Sequence, residues 1–86
     1  MEIKGTFVKR EIAGEHFLVP VGAAAKQHNG LFAMNELGSF IWDCLAEAED
    51  DAAVVARILE EYEIDRETAA ADAAEFLGKL REMGVL

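Results

Sequence analysis

Short apolar runs separated by glycine fill the first part of the chain and predict a small antiparallel sheet. Residues 6–12 contain β-branched and aromatic side chains together with charged ones, which predicts a first strand. Residues 16–21 form a continuous apolar run, which predicts a second strand buried on both faces, with Pro20 at its end or at a bulge. Residues 22–30 then form a connection that closes on the turn dipeptide Asn29-Gly30, and residues 31–34 form a third strand at an edge.

From residue 35 onward the apolar positions recur every three or four residues, which predicts three helices. Asn35 is a good N-cap for the first helix, over about residues 36–48. The second begins in the acidic run 49–51, where carboxylates favour the positive end of the helix dipole. Asp65 caps the third, over about residues 66–83, and Gly84 stops it.

Strands followed by helices in so short a chain predict an α+β fold with a three-stranded antiparallel sheet and three α-helices. We see no linker, repeat or low-complexity tract, and 86 residues correspond to one domain. We therefore expect a single domain over residues 1–86, with its strands within 6–34 and its helices within 35–84.

The third predicted helix has an apolar arc of roughly 180°, against about 100° for a helix that faces a single core. Ala70, Ala74 and Leu77 extend the arc on one flank, beside Arg81. Two interpretations stay open from periodicity alone. The helix is either wedged between the sheet and the other helices, or its extra flank lines a groove.

The third predicted strand, Leu31-Phe32-Ala33-Met34, is apolar on both faces, and nothing in the sequence is left to cover its outer edge. Such an edge presents unpaired N–H and C=O groups and accepts an extended peptide as an additional strand. Coverage by the N-terminus or by a second copy of the protein is the equal alternative.

Composition and charge narrow the possible functions. One cysteine forms no internal disulfide, and no apolar run approaches the roughly 20 residues that cross a bilayer, so we expect a soluble cytoplasmic protein without a membrane partner. The net charge is −9, and residues 35–86 hold fourteen acidic and four basic groups. Because such a surface repels phosphate, nucleic acid is not an expected partner, and a winged-helix DNA-binding regulator is the weaker hypothesis.

The side chains most often used in catalysis are few and scattered. Cys44 lies on the apolar face of a predicted helix, His16 begins a strand and His28 sits in a turn, with no metal-ligand spacing among them. No nucleophile-elbow, P-loop or dinucleotide-binding motif is present. We therefore expect no catalytic residue, no metal and no cofactor, and we do not expect an enzyme.

Residues 34–42, Met-Asn-Glu-Leu-Gly-Ser-Phe-Ile-Trp, resemble the leucine–asparagine–glutamate–x–glycine–x–x–isoleucine–tryptophan segment of the PqqD-like family, which is named for a protein of pyrroloquinoline quinone biosynthesis. Met34 stands for the usual leucine and Leu37 for a common threonine. The similarity continues in order through Val-Pro-Val-Gly at 19–22, residues 58–65 and the closing stretch 76–86, so it covers nearly the whole chain.

This resemblance implies a winged-helix-like fold and a non-catalytic role as a recognition element, or peptide chaperone, for ribosomally synthesised, post-translationally modified peptides. Such domains bind the leader segment of a precursor peptide and present it to a modifying enzyme, often a radical S-adenosylmethionine (SAM) protein. In the family the leader adds beside the third strand and packs against the third helix. Carried onto this chain, the peptide-binding residues are Leu31, Phe32, Ala33, Met34, Ala70, Ala74, Leu77 and Arg81.

The resemblance also carries an expectation about charge, because Lys79 or Arg81 would pair with acidic groups of the leader. The alternative function is that of an oligomerising structural subunit of a biosynthetic complex, in which the free strand edge pairs with its own copy in a homodimer.

Overall fold

The computed structural model describes residues 1–28 and 30–86. It contains three strands and four helices within those residues. The α+β arrangement and the three-stranded sheet are as the sequence predicts, whereas one of the helices was not predicted. The turn predicted at Asn29-Gly30 includes a residue that lies outside the described ones. The winged-helix likeness stays a prediction.

The sheet is antiparallel, with the order β1 (Thr6–Ile12), β2 (Glu15–Val21) and β3 (Phe32–Met34). Ala13 and Gly14 join β1 to β2, and their φ angles of 52° and 81° are both positive, as a type I′ hairpin turn requires. β3 begins one residue later than predicted and leaves Leu31 before it. Because β2 lies in the middle, β3 is an edge strand, as predicted.

Within the described residues, the helices pack on one face of this sheet. Leu18 lies on the covered face, is 1% exposed and pairs with Phe32 across the β2–β3 ladder. Side chains alternate along a strand, so Phe17 and Val19 lie on the opposite face, where they are half-buried. The prediction that the second strand is buried on both faces is therefore wrong, because an apolar run does not create a second layer to cover it.

A short helix, α1 (Ala23–Gln27), lies in the connection between β2 and β3, where the sequence predicts only a loop. Five residues make little more than one turn, which is too short for a helical period to be recognised. Ala24 is 4% exposed, and a Cβ built on Gly5 would lie 3.1 Å from the Cβ of Ala24. The glycine before β1 thus lets α1 pack closely against that segment.

Three longer helices follow: α2 (Glu36–Cys44), α3 (Asp51–Glu61) and α4 (Arg66–Glu82). Each has an N-cap side chain that accepts a backbone hydrogen bond from the third residue after it, which satisfies one of the helix's free N–H groups. Asn35 accepts at 2.7 Å, Asp50 at 2.9 Å and Asp65 at 2.7 Å. The caps predicted at Asn35 and Asp65 are confirmed.

α2 ends at Cys44, before the predicted end near Ala48, and residues 45–47 form turns. Leu45 and Ala48 are nevertheless 0% and 6% exposed. Their burial explains the error, because the apolar spacing continues into the core after the helix has ended.

α4 stops where the sequence predicts. Gly84 has a φ of 78°, and the Val85 N–H donates to the Leu80 carbonyl at 2.9 Å, as in a Schellman motif. The Lys4 N–H then donates to the Val85 carbonyl at 2.7 Å, which ties the segment after α4 to the segment before β1. Both segments thereby close the core that lies between the sheet and the helices. Its largest fully buried side chains are Leu18, Ile41, Leu45, Val54, Ile58, Leu77, Leu80 and Val85.

In the part of the chain that the structure describes, no helix is long and apolar enough to cross a bilayer.

The Asp65 cap predicts a pH dependence of stability. Hydrogen bonds from Thr68, through its side chain and its backbone, lower the pKa of Asp65 from the ordinary 3.8. A carboxyl group whose pKa is lower in the folded state contributes stability above its unfolded pKa, and that stability is lost as the pH falls through the folded value. Asp65→Asn keeps a capping oxygen but does not titrate.

We therefore expect any stability advantage of the native chain over Asp65→Asn at pH 7 to shrink progressively below about pH 4. Thermal denaturation of both chains, followed by circular dichroism at pH 7 and again below about pH 4, measures the difference in stability between them. A difference that is the same at neutral and at acid pH would contradict the role given to Asp65.

Candidate functional site

A groove runs between β3 and the start of α2 on one side and the middle of α4 on the other. Its cavity has a volume of about 150 Å³. Most of the β3 and α2 residues that line it are apolar, whereas the α4 wall carries charge. The lining residues are Phe32, Ala33, Met34, Asn35, Leu37, Gly38, Ile41, Asp72, Glu75, Phe76 and Lys79.

The outer edge of β3 borders this groove. β3 pairs with β2 through Phe32, Ala33 and Met34, and within residues 1–28 and 30–86 no strand pairs with its other side. The backbone N–H and C=O groups that face outward from an edge strand are free to bond with another chain. The groove and the free edge therefore form one continuous surface.

Close packing at Gly38 fixes the position of α4 relative to β3. A Cβ on Gly38 would lie 3.0 and 3.1 Å from ring carbons of Phe76 and 3.2 Å from the Asn35 side-chain oxygen that caps α2. The Phe76 ring also lies 6.1 Å from that of Phe32, centroid to centroid, at a tilt of 47°. Phe76 thus joins the start of α2 to β3 beneath the groove.

Charge on the α4 wall comes from Asp72, Glu75 and Lys79. The Lys79 Nζ lies 3.5 Å from the Glu75 Oε1, so these two side chains form an i,i+4 ion pair along the helix. Both are more than half exposed. The wall therefore presents one internal ion pair and one further carboxylate.

Three of the predicted peptide-binding residues, Phe32, Ala33 and Met34, line the groove. Leu31 precedes β3, is 55% exposed and lines a smaller apolar cavity of about 70 Å³ together with Phe32. The two cavities meet at Phe32, so Leu31 lies next to the groove without lining it.

The predicted helix residues, Ala70, Ala74, Leu77 and Arg81, are not among those that line the groove. Leu77 is 0% exposed in the core, and Arg81 donates to Asp51 of α3 at 2.7 Å. Hydrogen bonding to Asp51 and the charge of its carboxylate raise the pKa of Arg81. Arg81 thus pairs with α3, whereas Ala70 and Ala74 are exposed. That these four residues bind the peptide stays a prediction.

The difference between the residues that line the groove and the predicted helix residues has a geometric reason. Lys79 and Arg81 are two residues apart, so they point to nearly opposite sides of the helix, about 160° apart. An apolar arc has two flanks, and periodicity does not say which one a neighbouring helix takes. The short connection between α3 and α4 places α3 beside the Leu77 flank and leaves Asp72, Glu75, Phe76 and Lys79 toward β3. Of these four, the sequence-based prediction included only Lys79, as a partner for acidic groups of the leader.

Cys44 is 2% exposed, and burial raises the pKa of its thiol because it penalises the charged thiolate. This agrees with its predicted place on an apolar helix face. Among the described residues, no group of three or more His, Cys, Asp or Glu side chains is placed to hold a metal ion.

The family model for coenzyme PQQ synthesis protein D (PqqD) matches residues 15–86. The chain belongs to the PqqD family. The match begins at the first residue of β2 and includes β3, α2 and α4, so it contains every element that borders the groove. Among curated proteins, none matches the chain.

A solved structure, "TbiB1 in Complex with the TbiA(beta) Leader Peptide", is similar to this PqqD-family chain throughout its length. The TM-score is 0.73 with 29% sequence identity, and the similarity covers 100% of this chain and 94% of that one. The TbiB1 chain is described as bound to a leader peptide.

Gly38→Ala tests the packing beneath the groove. The added methyl group would press on the Phe76 ring and on the Asn35 cap, and overpacking costs about 1–3 kcal/mol against a helix-propensity gain of at most about 1 kcal/mol. We expect a lower melting temperature. Gly78→Ala is the matched control, because a Cβ there meets nothing within 4 Å.

The control is expected to raise stability by about 0.5–1 kcal/mol through helix propensity alone. Thermal denaturation of the two variants and of the native chain measures the change in melting temperature that each substitution causes. If Gly38→Ala were stabilised as much as Gly78→Ala, the contact with Phe76 would not constrain α4.

Proposed function

We propose that this chain is a non-catalytic peptide-binding module. It captures the leader segment of a precursor peptide and presents that peptide to a modifying enzyme, such as a radical SAM protein. The observation that carries the proposal is the groove between the free edge of β3 and α4, in a PqqD-family chain similar to a leader-bound structure.

Binding proceeds by strand addition in this proposal. The leader lies beside β3, and its backbone bonds to the groups on the free edge of Phe32–Met34, which belong to alternate residues of the strand and contribute affinity without regard to sequence. Alternate side chains of the leader then point into the groove, because successive residues of a strand face opposite sides. Their fit against Leu37 and Phe76 supplies selectivity.

The chemical step belongs to the modifying enzyme. A leader held in extended form at one edge of the sheet leaves the rest of the precursor free to reach another active site. The module therefore acts by raising the local concentration of the precursor at the enzyme and by fixing its direction.

A proline in β3 tests strand addition. Ala33→Pro removes a backbone donor from the three-residue strand, and the ring is poorly tolerated in a paired strand. We expect affinity for the precursor peptide encoded beside this protein's gene to fall below detection by isothermal titration calorimetry. Far-UV circular dichroism should show that the helices remain.

Ala33→Val is the matched control at the same position, because valine keeps the backbone donor and favours strand conformation. It should bind as the native chain does. If the folded Ala33→Pro variant binds the peptide as tightly as the native chain, addition at β3 is ruled out. If the native chain self-associates and binds no peptide, the structural-subunit hypothesis is favoured.

A further inference from the structure

The charges that face the groove come from one side only. β3 and the start of α2 contribute no charged lining residue, whereas α4 contributes Asp72, Glu75 and Lys79. The groove is thus lined by mostly apolar residues on the side of β3 and α2, and by two carboxylates and one ammonium group on the side of α4. The same half of the chain, residues 35–86, has fourteen acidic groups against four basic ones, so its surroundings are negative as well.

The one ammonium group of the wall is already engaged. The Lys79 Nζ pairs with Glu75 at 3.5 Å, whereas Asp72 has no ion pair and no side-chain hydrogen bond within residues 1–28 and 30–86. Asp72 is half-buried at the wall. The unmatched charge that a bound peptide meets is therefore a carboxylate.

The geometry of an added strand brings side chains to this carboxylate. Groove-facing residues of an extended peptide are two positions apart, or about 6.6–6.8 Å. One such side chain covers the apolar side chains of Leu37 and Phe76, and the next reaches the α4 wall. A Lys or Arg side chain there lays its methylene stem on these apolar side chains and brings its charge to Asp72, as long basic side chains do at apolar surfaces.

We infer that the groove selects a leader segment in which a lysine or arginine stands two residues from an apolar residue, with Asp72 as the partner of the basic group. The inference rests on the proposed function and deepens it by naming the chemistry of the peptide. It also reverses the sequence-based expectation about charge, because Lys79 and Arg81 are both paired within the chain.

A selection from random twelve-residue peptides displayed on phage tests this inference. The native chain, Asp72→Asn and Glu67→Gln serve as targets. Glu67 lies in the first turn of α4, is exposed and does not line the groove, so Glu67→Gln removes one negative charge elsewhere on the same helix. The native chain and Glu67→Gln should enrich a basic residue two positions from an apolar one, and Asp72→Asn should not.

Affinities of the most enriched peptide make the test quantitative. Replacing its basic residue by glutamine should weaken binding to the native chain and to Glu67→Gln about threefold to fivefold, as for a partly exposed charge pair. The same replacement should change binding to Asp72→Asn by less than about 1.5-fold, because the partner charge is absent.

The experiment distinguishes a failure of the inferred preference for a basic residue from a failure of the proposed peptide-binding function. Enriched peptides without a basic preference, or with one that persists in Asp72→Asn, would overturn the inference while the proposed function stands. Enriched peptides that bind Ala33→Pro as tightly as the native chain would show that they do not add at β3, and enrichment of no peptide would count against binding altogether. Either of these results overturns the proposed function and the inference with it.

Discussion

The contact between Gly38 and Phe76 sets the distance between α4 and β3. A side chain at position 38 would come within 3.0 Å of the Phe76 ring, so the ring fills the space that the glycine leaves. The same residue donates its N–H to Asn35, which starts α2 immediately after β3. One small residue therefore links the strand edge, the helix start and the groove. This contact thus sets how closely the α4 wall approaches the free edge of β3.

The two flanks of α4 have different partners. On one flank Leu77 is buried and Arg81 bonds to Asp51, which holds α4 against α3. The opposite flank carries Asp72 and Lys79 and borders the groove. Because α3 fixes one flank, the other is held at the edge of the sheet without a covering element of its own among the described residues. A rigid wall of this kind suits recognition of an extended peptide, since little ordering of the wall is needed on binding.

Local signals in the sequence were sufficient to predict most of the strands, helix caps and helix ends. The strands, the caps at Asn35 and Asp65 and the stop at Gly84 each depend on a few neighbouring residues, and each is confirmed or shifted by about one residue. α1 was missed because five residues carry no detectable period. The end of α2 was misplaced because Leu45 and Ala48 stay buried beyond the helix.

From the sequence, only the β3 side of the groove could be located, and its α4 side could not. A free edge follows from strand order, so Phe32, Ala33 and Met34 could be placed at the groove from the sequence. Their binding of a peptide stays a prediction. Which flank of α4 faces that edge depends on where α3 packs, and this is a tertiary choice that helical periodicity does not encode. Lys79 drew attention as a charge in the sequence, but its pairing with Glu75 alters what that charge offers a ligand.

The most direct test of strand addition is an amide NMR titration of the isotope-labelled chain with peptides encoded beside its gene. Strand addition should give large shifts at residues 32–34 and along the groove side of α4 from Asp72 to Lys79, with cross-strand contacts between the peptide backbone and β3. Amides around Asp51 in α3 should stay in place. Shifts confined to the α3 side, or a bound peptide that leaves β3 unchanged, would contradict it.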